Sequence, residues 1–138
     1  MRTKTPIQVR FNDVDMARHV HNAVYLSYFE LARMDFLKRF IEPQHDWRGQ
    51  GLILARNEVD YRKPVHLHDR VEVEAWCSNI GRRSFDLSYT LFIVADNTRT
   101  PAAQGRSVMV CYDYNAGTSI ALPDAWRVEL ARIMEADA

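Results

Sequence analysis

The residue types best suited to chemistry lie close together near the N-terminus, between Arg10 and Glu30. Two carboxylates, Asp13 and Asp15, and two histidines, His19 and His21, precede a strongly apolar segment. A carboxylate beside a helix N-terminus lies next to unpaired backbone N–H groups and the positive end of the helix dipole. This combination provides a base or nucleophile beside an anion-stabilising pocket, which acyl transfer requires.

The same residues also have a purely structural interpretation. Asp13, Asp15 and Asn22 are residue types that commonly form turns and cap helices. On local chemistry alone, both interpretations stay open. The elements around the segment and its wider sequence context must decide between them.

A long helix is predicted from about Asn22 to Phe40, because apolar residues recur there at spacings of three and four. Apolar positions cover more than half of its circumference, so most of the helix should be buried. Asp35 and Arg39 have the spacing of an i,i+4 ion pair on its polar side. Pro43 is expected to stop the helix.

Alternating apolar and polar residues predict five strands around this helix. One strand, a buried helix and a meander of four strands make an α+β pattern, which we assign to a single domain over residues 1–138. An antiparallel sheet wrapped around the helix is the simplest way to bury it. The first strand is indicated by Ile7, Val9 and Phe11, the others by about Ile53–Tyr61, Arg70–Ile80, Ser84–Ala95 and Ala103–Tyr112, and a short C-terminal helix by Pro123–Met134.

Composition and charge exclude several classes of function. Hydrophobic residues make up 47% of the chain and charged residues 26%, which is ordinary for a globular domain. Lys+Arg and Asp+Glu are both 18, so we expect no nucleic-acid partner and no general attraction to membranes. The longest clearly apolar run, Leu91–Ala95, is far too short to span a bilayer.

The N-terminal segment and the cysteines bear on the location of the protein. Met1–Arg10 carries charges and no apolar h-region, so no signal peptide is predicted. Cys77 and Cys111 both fall in strand-like segments and match no zinc or redox spacing. We therefore expect small core residues in a reducing compartment, and a cytoplasmic protein.

The segment from Asp13 to Glu30 has the pattern D-x-D-x-x-x-H-V-x-N-x-x-Y-x-x-[YF]-x-E. It resembles the opening signature of the hotdog-fold acyl-CoA thioesterases, and more narrowly the 4-hydroxybenzoyl-CoA thioesterase-like family with its bacterial fatty acyl-CoA thioesterase branch. The likeness continues in the expected order. Val59–Trp76 is similar to the family's strand pair with a Y-R-x-P corner, Asn79–Phe85 to its basic turn, and Gly105–Asp113 to its last strand.

This resemblance implies an α+β hotdog fold, in which an antiparallel five-stranded sheet wraps around a long central helix. It implies a thioester hydrolase that converts fatty or aromatic acyl-CoA to free CoA and a carboxylic acid, without a metal or organic cofactor. A non-catalytic acyl-CoA-binding hotdog protein is the alternative. The family pairs its subunits and builds its active site at their boundary, so the resemblance also implies a homodimer or homotetramer.

Within the resemblance, Asp15 matches the catalytic aspartate, which acts as nucleophile or as general base toward water. Asn22 matches a position whose backbone N–H polarises the thioester carbonyl. His19 matches a histidine of the fatty acyl-CoA branch, and could orient the Asp15 loop or titrate during turnover. Asp13 is interpreted as a loop hydrogen-bonding residue. His21 occupies a position that is often Asn in that branch, so its role stays open.

Arg82 and Arg83 match basic residues that contact the nucleotide phosphates of CoA in the family, and a solvated hairpin turn is their alternative interpretation. Glu58 is a backup carboxylate. Two H-x-H pairs, His19 with His21 and His66 with His68, have a spacing that could bind zinc. Neither pair has a well-spaced third ligand in the sequence, so no metal site is predicted. Some of four aromatic residues on or just after the helix are expected to line an acyl groove beside the catalytic aspartate: Tyr25, Tyr28, Phe29 and Trp47.

Overall fold

The computed structural model describes every residue from Met1 to Ala138 and consists of one antiparallel sheet with two α-helices. The strand order is β1-β3-β4-β5-β2, and β6 pairs with β5. The predicted α+β architecture is confirmed, with one short additional strand. In chain order the elements are β1 (Thr3–Ile7), a 3-10 turn (Phe11–Asp13), α1 (Val24–Leu37), β2 (Gly51–Tyr61), β3 (Arg70–Ile80), β4 (Ser84–Ala95), β5 (Thr98–Asp113), β6 (Thr118–Ser119) and α2 (Asp124–Asp137).

The main core lies between α1 and one face of the sheet. Helical spacing places Phe29, Ala32 and Phe36 on one side of α1, and all three are fully or almost fully buried. Phe29 stacks on Tyr89 of β4, with ring centroids 4.7 Å apart and planes 8° apart. Burying one large apolar side chain contributes roughly 1.5–3 kcal/mol. The inward-facing residues of β3 and β4 that complete this core are Val71, Val73, Ala75, Cys77, Phe85, Leu87, Tyr89 and Leu91.

Helix α1 is shorter than its periodic pattern predicted. It ends at Leu37, and the chain continues in turns well before Pro43. The predicted pair between Asp35 and Arg39 is not formed, because both side chains have tertiary partners. Asp35 accepts a hydrogen bond from the Thr5 hydroxyl at 2.7 Å, and Arg39 forms an ion pair with a carboxylate of α2.

Strands β1 and β5 differ most from their predicted boundaries, and β2 begins slightly earlier than predicted, at Gly51. Strand β1 ends at Ile7, so Val9 lies outside it and Phe11 begins the 3-10 turn with 81% of its surface exposed. Strand β5 begins at Thr98, earlier than the predicted start at Ala103, and it includes Pro101. The pairing register between β4 and β5 shifts beside this proline, and such irregularities are where strands tolerate a residue without an N–H donor.

The C-terminal helix α2 extends the core along β3. Trp126, Leu130 and Ile133 are buried, and Trp126 packs edge-on against Phe40 with centroids 5.7 Å apart. Its last residues are tied down by Asp137, which receives two hydrogen bonds from Arg39 at 2.8 and 3.0 Å. Neither α-helix is long and apolar enough to cross a membrane.

Both cysteines belong to the core, as their strand positions predicted. Cys77 lies on β3 and Cys111 on β5, and both thiols are free and buried. Burial raises the pKa of each thiol to about 11. Because the thiolate is the reactive form, these residues serve packing rather than chemistry.

Candidate active site

A small antiparallel hairpin between the 3-10 turn and α1 carries Asp15. Val14 and Val20 form its bridge, and the Asp15 N–H donates to the His19 carbonyl at 2.9 Å. At the tip, Arg18 adopts a left-handed backbone with φ of 65°, and its N–H donates to the Asp15 carbonyl at 2.9 Å. Non-glycine residues seldom adopt this conformation, so the surrounding bonds must hold the tip in place.

The hairpin is anchored to α1 by Asp13, which is only 4% exposed. One carboxylate oxygen of Asp13 accepts hydrogen bonds from the Tyr28 hydroxyl at 2.7 Å and from the Arg10 N–H at 2.9 Å. Burial raises the pKa of this carboxyl, but these bonds and the Arg10 charge outweigh it, so the pKa lies below its usual value. The Asp13 carbonyl also accepts the His21 N–H at 2.8 Å. The loop hydrogen-bonding role expected for Asp13 is therefore what the structure shows.

The two oxygens of Asp15 have different surroundings. Oδ1 accepts the backbone N–H of Ala17 at 2.9 Å, which orients the carboxylate. Oδ2 faces Nδ1 of His21 at 3.8 Å, and 39% of the Asp15 side chain is exposed. One oxygen is thus held by the loop while the other stays accessible, an arrangement suited to a general base or a nucleophile.

Asn22 lies just before α1 and holds the hairpin close to the sheet. Its side-chain oxygen accepts the Ala23 N–H at 3.0 Å, and its carbonyl accepts the Tyr61 hydroxyl at 2.8 Å. The backbone N–H of Asn22 has no acceptor within the chain. It is therefore available to a bound carbonyl oxygen, and its location at the helix N-terminus favours negative charge on that oxygen.

The two histidines of the hairpin lie in different environments. The His19 ring packs edge-on against His66, with centroids 5.1 Å apart, and makes no side-chain contact with Asp15. Its link to Asp15 is a backbone hydrogen bond, which any residue at this position could make. His21 is the histidine that faces the carboxylate. The sequence could not distinguish the two histidines, because His19 lies directly opposite Asp15 and His21 diagonally opposite it, and both positions share a face of the hairpin.

A cavity of about 520 Å³ opens beside Asp15. The predicted aromatic lining is wrong for this cavity: Tyr28 and Phe29 are buried in the core, and Trp47 lies near the C-terminal end of α1. Tyr25 lines a neighbouring cavity of about 280 Å³, together with Asn22. The residues that line the larger cavity with Asp15 are Phe11, Val14, Arg18, His66, Leu67, His68 and Asp69.

Arg82 and Arg83 lie in the turn between β3 and β4, far from Asp15 in the same chain. Asp69, in the cavity wall, precedes the 11-residue strand β3, and the arginines follow that strand. At about 3.3 Å per residue, the separation is on the order of 35 Å. Arg83 donates two hydrogen bonds to Ser119, both at 3.0 Å. Within one chain the structure does not bring these arginines to the candidate site.

Glu58 lies outside the candidate site as well. It forms ion pairs with Arg56 at 2.6 Å and with Arg106 at 3.1 Å. The hydrogen bonds from Arg106 hold the pKa of Glu58 below its usual value. Its carboxylate lines a separate small cavity that does not include Asp15. Nowhere do three or more His, Cys, Asp or Glu side chains cluster in a way that could hold a metal ion.

Comparison with known proteins supports the resemblance drawn from the sequence. A family model described as "Thioesterase-like superfamily" matches residues 9–132. The long-chain acyl-CoA thioesterase FadM of Escherichia coli (strain K12) is 24% identical over 135 residues, which cover 96% of this chain and 99% of the relative. A 1,4-dihydroxy-2-naphthoyl-CoA hydrolase of Synechococcus elongatus is 26% identical over 120 residues, covering 84% of this chain and 85% of the relative.

Solved structures agree with this assignment. A thioesterase from Thermus thermophilus, crystallised in complex with coenzyme A and Zn, superposes with a TM-score of 0.80 at 33% identity. The match covers 96% of this chain and 93% of that one. The predicted hotdog fold is confirmed, and the recognition of the thioesterase family with it.

Proposed function

This chain belongs to the thioesterase-like superfamily, and from that premise we propose that it hydrolyses acyl-CoA thioesters to free CoA and a carboxylic acid. The observation that carries the proposal is the placement of Asp15. It is a partly exposed carboxylate on a hairpin held by backbone hydrogen bonds, and it lies beside an open cavity. The Asn22 N–H, directly after this hairpin, has no acceptor in the chain.

Asp15 is the catalytic carboxylate in this proposal. Its free oxygen either removes a proton from the attacking water or attacks the thioester carbonyl directly, and both roles require the ionised form. The Asn22 N–H donates a hydrogen bond to the oxygen that becomes negatively charged. One such donor is typically worth roughly 10²–10³-fold in rate.

The substrate class is a fatty or aromatic acyl-CoA. Phe11, Val14 and Leu67 supply apolar wall beside Asp15, where an acyl group would be shielded from water. By their names, one relative acts on long-chain acyl-CoA and the other on a bicyclic aromatic acyl-CoA. Both acyl types therefore belong in a substrate panel.

We also propose that the functional unit is a homodimer or homotetramer in the cytoplasm. Strand β2 is an 11-residue edge strand that pairs only with β5, and long open edges are usually covered. Leu31 and Met34 of α1 are about half exposed. A second subunit would cover such surface and deliver the turn with Arg82 and Arg83 to the nucleotide phosphates of CoA. The free, buried thiols suit a reducing compartment.

A thiol-release assay tests the proposed activity directly. Purified protein is incubated with acetyl-, octanoyl-, palmitoyl- and benzoyl-CoA, and the appearance of free CoA is followed. We expect release well above the uncatalysed rate with at least one longer or aromatic substrate. Saturable binding of these esters without any release would instead favour the non-catalytic acyl-CoA-binding protein.

A further inference from the structure

Building on the proposed function, we propose that His21 is a second catalytic residue, which gives a proton to the CoA sulphur as the thioester bond breaks. Its Nδ1 lies 3.8 Å from the free oxygen of Asp15, and 56% of its side chain is exposed. A proton donor thus lies beside the carboxylate that activates the water, and its Nε2 has no hydrogen-bond partner within the chain. Catalytic contacts are often this long before substrate binds.

The hairpin itself holds this pair together. Val14 bridges Val20, so Asp15 and His21 lie diagonally across the antiparallel pair, within reach of longer side chains. The His21 backbone is bonded to the carbonyl of buried Asp13, and the Asp15 carboxylate is bonded to the Ala17 N–H. Both side chains therefore extend from restrained backbone, and their proximity does not depend on a mobile loop.

No other ionisable group of the hairpin can take this role as readily. Asp13 is buried and already bonded to Tyr28 and Arg10, and the His19 ring packs on His66. Asp15 is the only carboxylate in ion-pair contact with the His21 ring. The other ionisable groups that line the cavity beside Asp15 are Arg18, His66, His68 and Asp69.

The proton count closes over one turnover. Asp15 takes a proton from water as the water oxygen bonds to the carbonyl carbon, and the carbonyl π electrons move to its oxygen. When the electron pair returns, the C–S bond breaks and the imidazolium of His21 donates its Nε2 proton to the sulphur, giving neutral CoA thiol. The carboxylic acid product returns its proton to Nε2, and Asp15 releases its own to solvent. The sum is acyl-CoA plus water to carboxylate, CoA thiol and one solvent proton.

The test compares two leaving groups. An aryl thiolate is a weaker base than the alkyl thiolate of CoA and departs readily without a proton. For His21→Asn, we expect kcat on an acyl-CoA to fall at least about 100-fold, since general acid catalysis typically contributes 10²–10⁴-fold. On the matching S-phenyl thioester the loss should stay below about tenfold. Asp15→Asn should lose activity on both substrates, because both need the water activated.

Three further measurements exclude a structural effect. His21→Gln should reproduce the leaving-group difference. Far-UV circular dichroism and thermal midpoints of both His21 variants should match the wild type, since the side chain is largely exposed. His45→Asn should leave both activities unchanged, because His45 packs against Trp47 and Trp126 away from the hairpin.

Equal losses on the two substrates, or a His21→Asn enzyme with wild-type activity on acyl-CoA, would overturn the acid role and leave the thioesterase function standing. A wild-type protein that releases no CoA from any acyl-CoA would remove the proposed function, and the role of His21 with it.

Discussion

At the scale of single residues, the candidate site depends on two aspartates in opposite situations. Asp13 is buried and accepts hydrogen bonds from Tyr28 and Arg10, while Asp15 is partly exposed and one of its oxygens accepts no hydrogen bond. They are two positions apart, yet the first holds the loop and the second is placed to react. Substitution of each by asparagine should therefore produce different defects.

Asp15→Asn should abolish most turnover and leave the fold nearly unchanged. The substitution is close to isosteric and preserves the acceptor for the Ala17 N–H, but removes the negative charge and basicity. We expect kcat to fall about 10²–10⁴-fold, with substrate affinity and thermal midpoint close to wild type. Steady-state kinetics measure kcat and KM, and a thermal melt measures the midpoint. A variant that keeps more than a tenth of wild-type kcat would contradict the assignment, and Glu58→Gln would be examined next.

Asp13→Asn should mainly lower stability, with a smaller loss of kcat than Asp15→Asn. A buried carboxylate that accepts bonds from Tyr28 and Arg10 loses its charge, and the loss of such bonds costs about 1–3 kcal/mol. Because the folded-state pKa of Asp13 lies below its unfolded value, its contribution is present above the unfolded pKa and disappears as pH falls through the folded one. Urea unfolding at pH 7 and pH 3 should show the wild-type advantage shrinking in acid. A constant difference would argue against an ionised Asp13.

At the scale of elements, the two chain ends are joined through one carboxylate on α2. Asp137 receives two hydrogen bonds from Arg39, beyond the end of α1, and an ion pair from the Met1 amino group at 3.2 Å. Only 3% of its side chain is exposed. Burial raises the pKa of this carboxyl, but Arg39 and Met1 outweigh burial and hold the pKa below its usual value. The contact ties β1, α1 and α2 into one unit.

Asp137→Asn should therefore loosen the C-terminal helix. Hydrogen bonds to charged groups are worth about 1.5–3 kcal/mol, so we expect a loss of that order in the free energy of unfolding at pH 7. The wild-type contribution is present above the unfolded pKa of an aspartate and is lost as pH falls through the lowered folded value. Chemical denaturation measures it, and Arg39→Gln completes a double-mutant cycle. Additive effects of the two substitutions would show that the pair contributes no coupling energy.

At the scale of the whole molecule, the two parts of the proposed site, the catalytic carboxylate and the phosphate-binding arginines, lie far apart within a single chain. The Asp15 cavity and the Arg82–Arg83 turn lie at opposite ends of β3, and the long edge of β2 is unpaired. In the proposed assembly, a second copy of the chain covers the edge of β2 and brings its own arginine turn to the Asp15 cavity. Light scattering at micromolar concentration should give two or four times the 16.1 kDa chain mass. A monomer would contradict the assembly.

The double variant Arg82→Ala, Arg83→Ala should raise KM for CoA esters and change kcat less. Contacts with the nucleotide end of CoA are remote from the reacting carbon, so they bind ground state and transition state alike. High salt should weaken the wild-type advantage, because exposed charges are screened. An unchanged KM at low salt would return both arginines to the solvated-turn interpretation. Arg99→Ala, which removes a surface arginine paired with Glu72, serves as the control.

Local patterns in the sequence were sufficient to predict the main helix and most of the strands. Periodicity placed β3 and β4 to the residue and located α1, since burial on one face of a helix or strand repeats with the element's own geometry. The D-x-D loop and its resemblance singled out Asp15 and Asn22 as candidates. Where side chains chose partners distant in sequence, the same reasoning failed: Asp35 bonds to Thr5 rather than to Arg39.

Only the tertiary structure decided how the site is assembled. It paired His19 with His66 and left His21 facing Asp15, buried Tyr28 against Asp13, and put Phe11 and Leu67 where an aromatic helix face was expected. Apart from the contact of His21 with Asp15, which lies within one hairpin, these outcomes rest on contacts between separate segments of the chain. Hydrophobic spacing reports which face of an element is buried, but it carries no information about which distant side chain that face will meet.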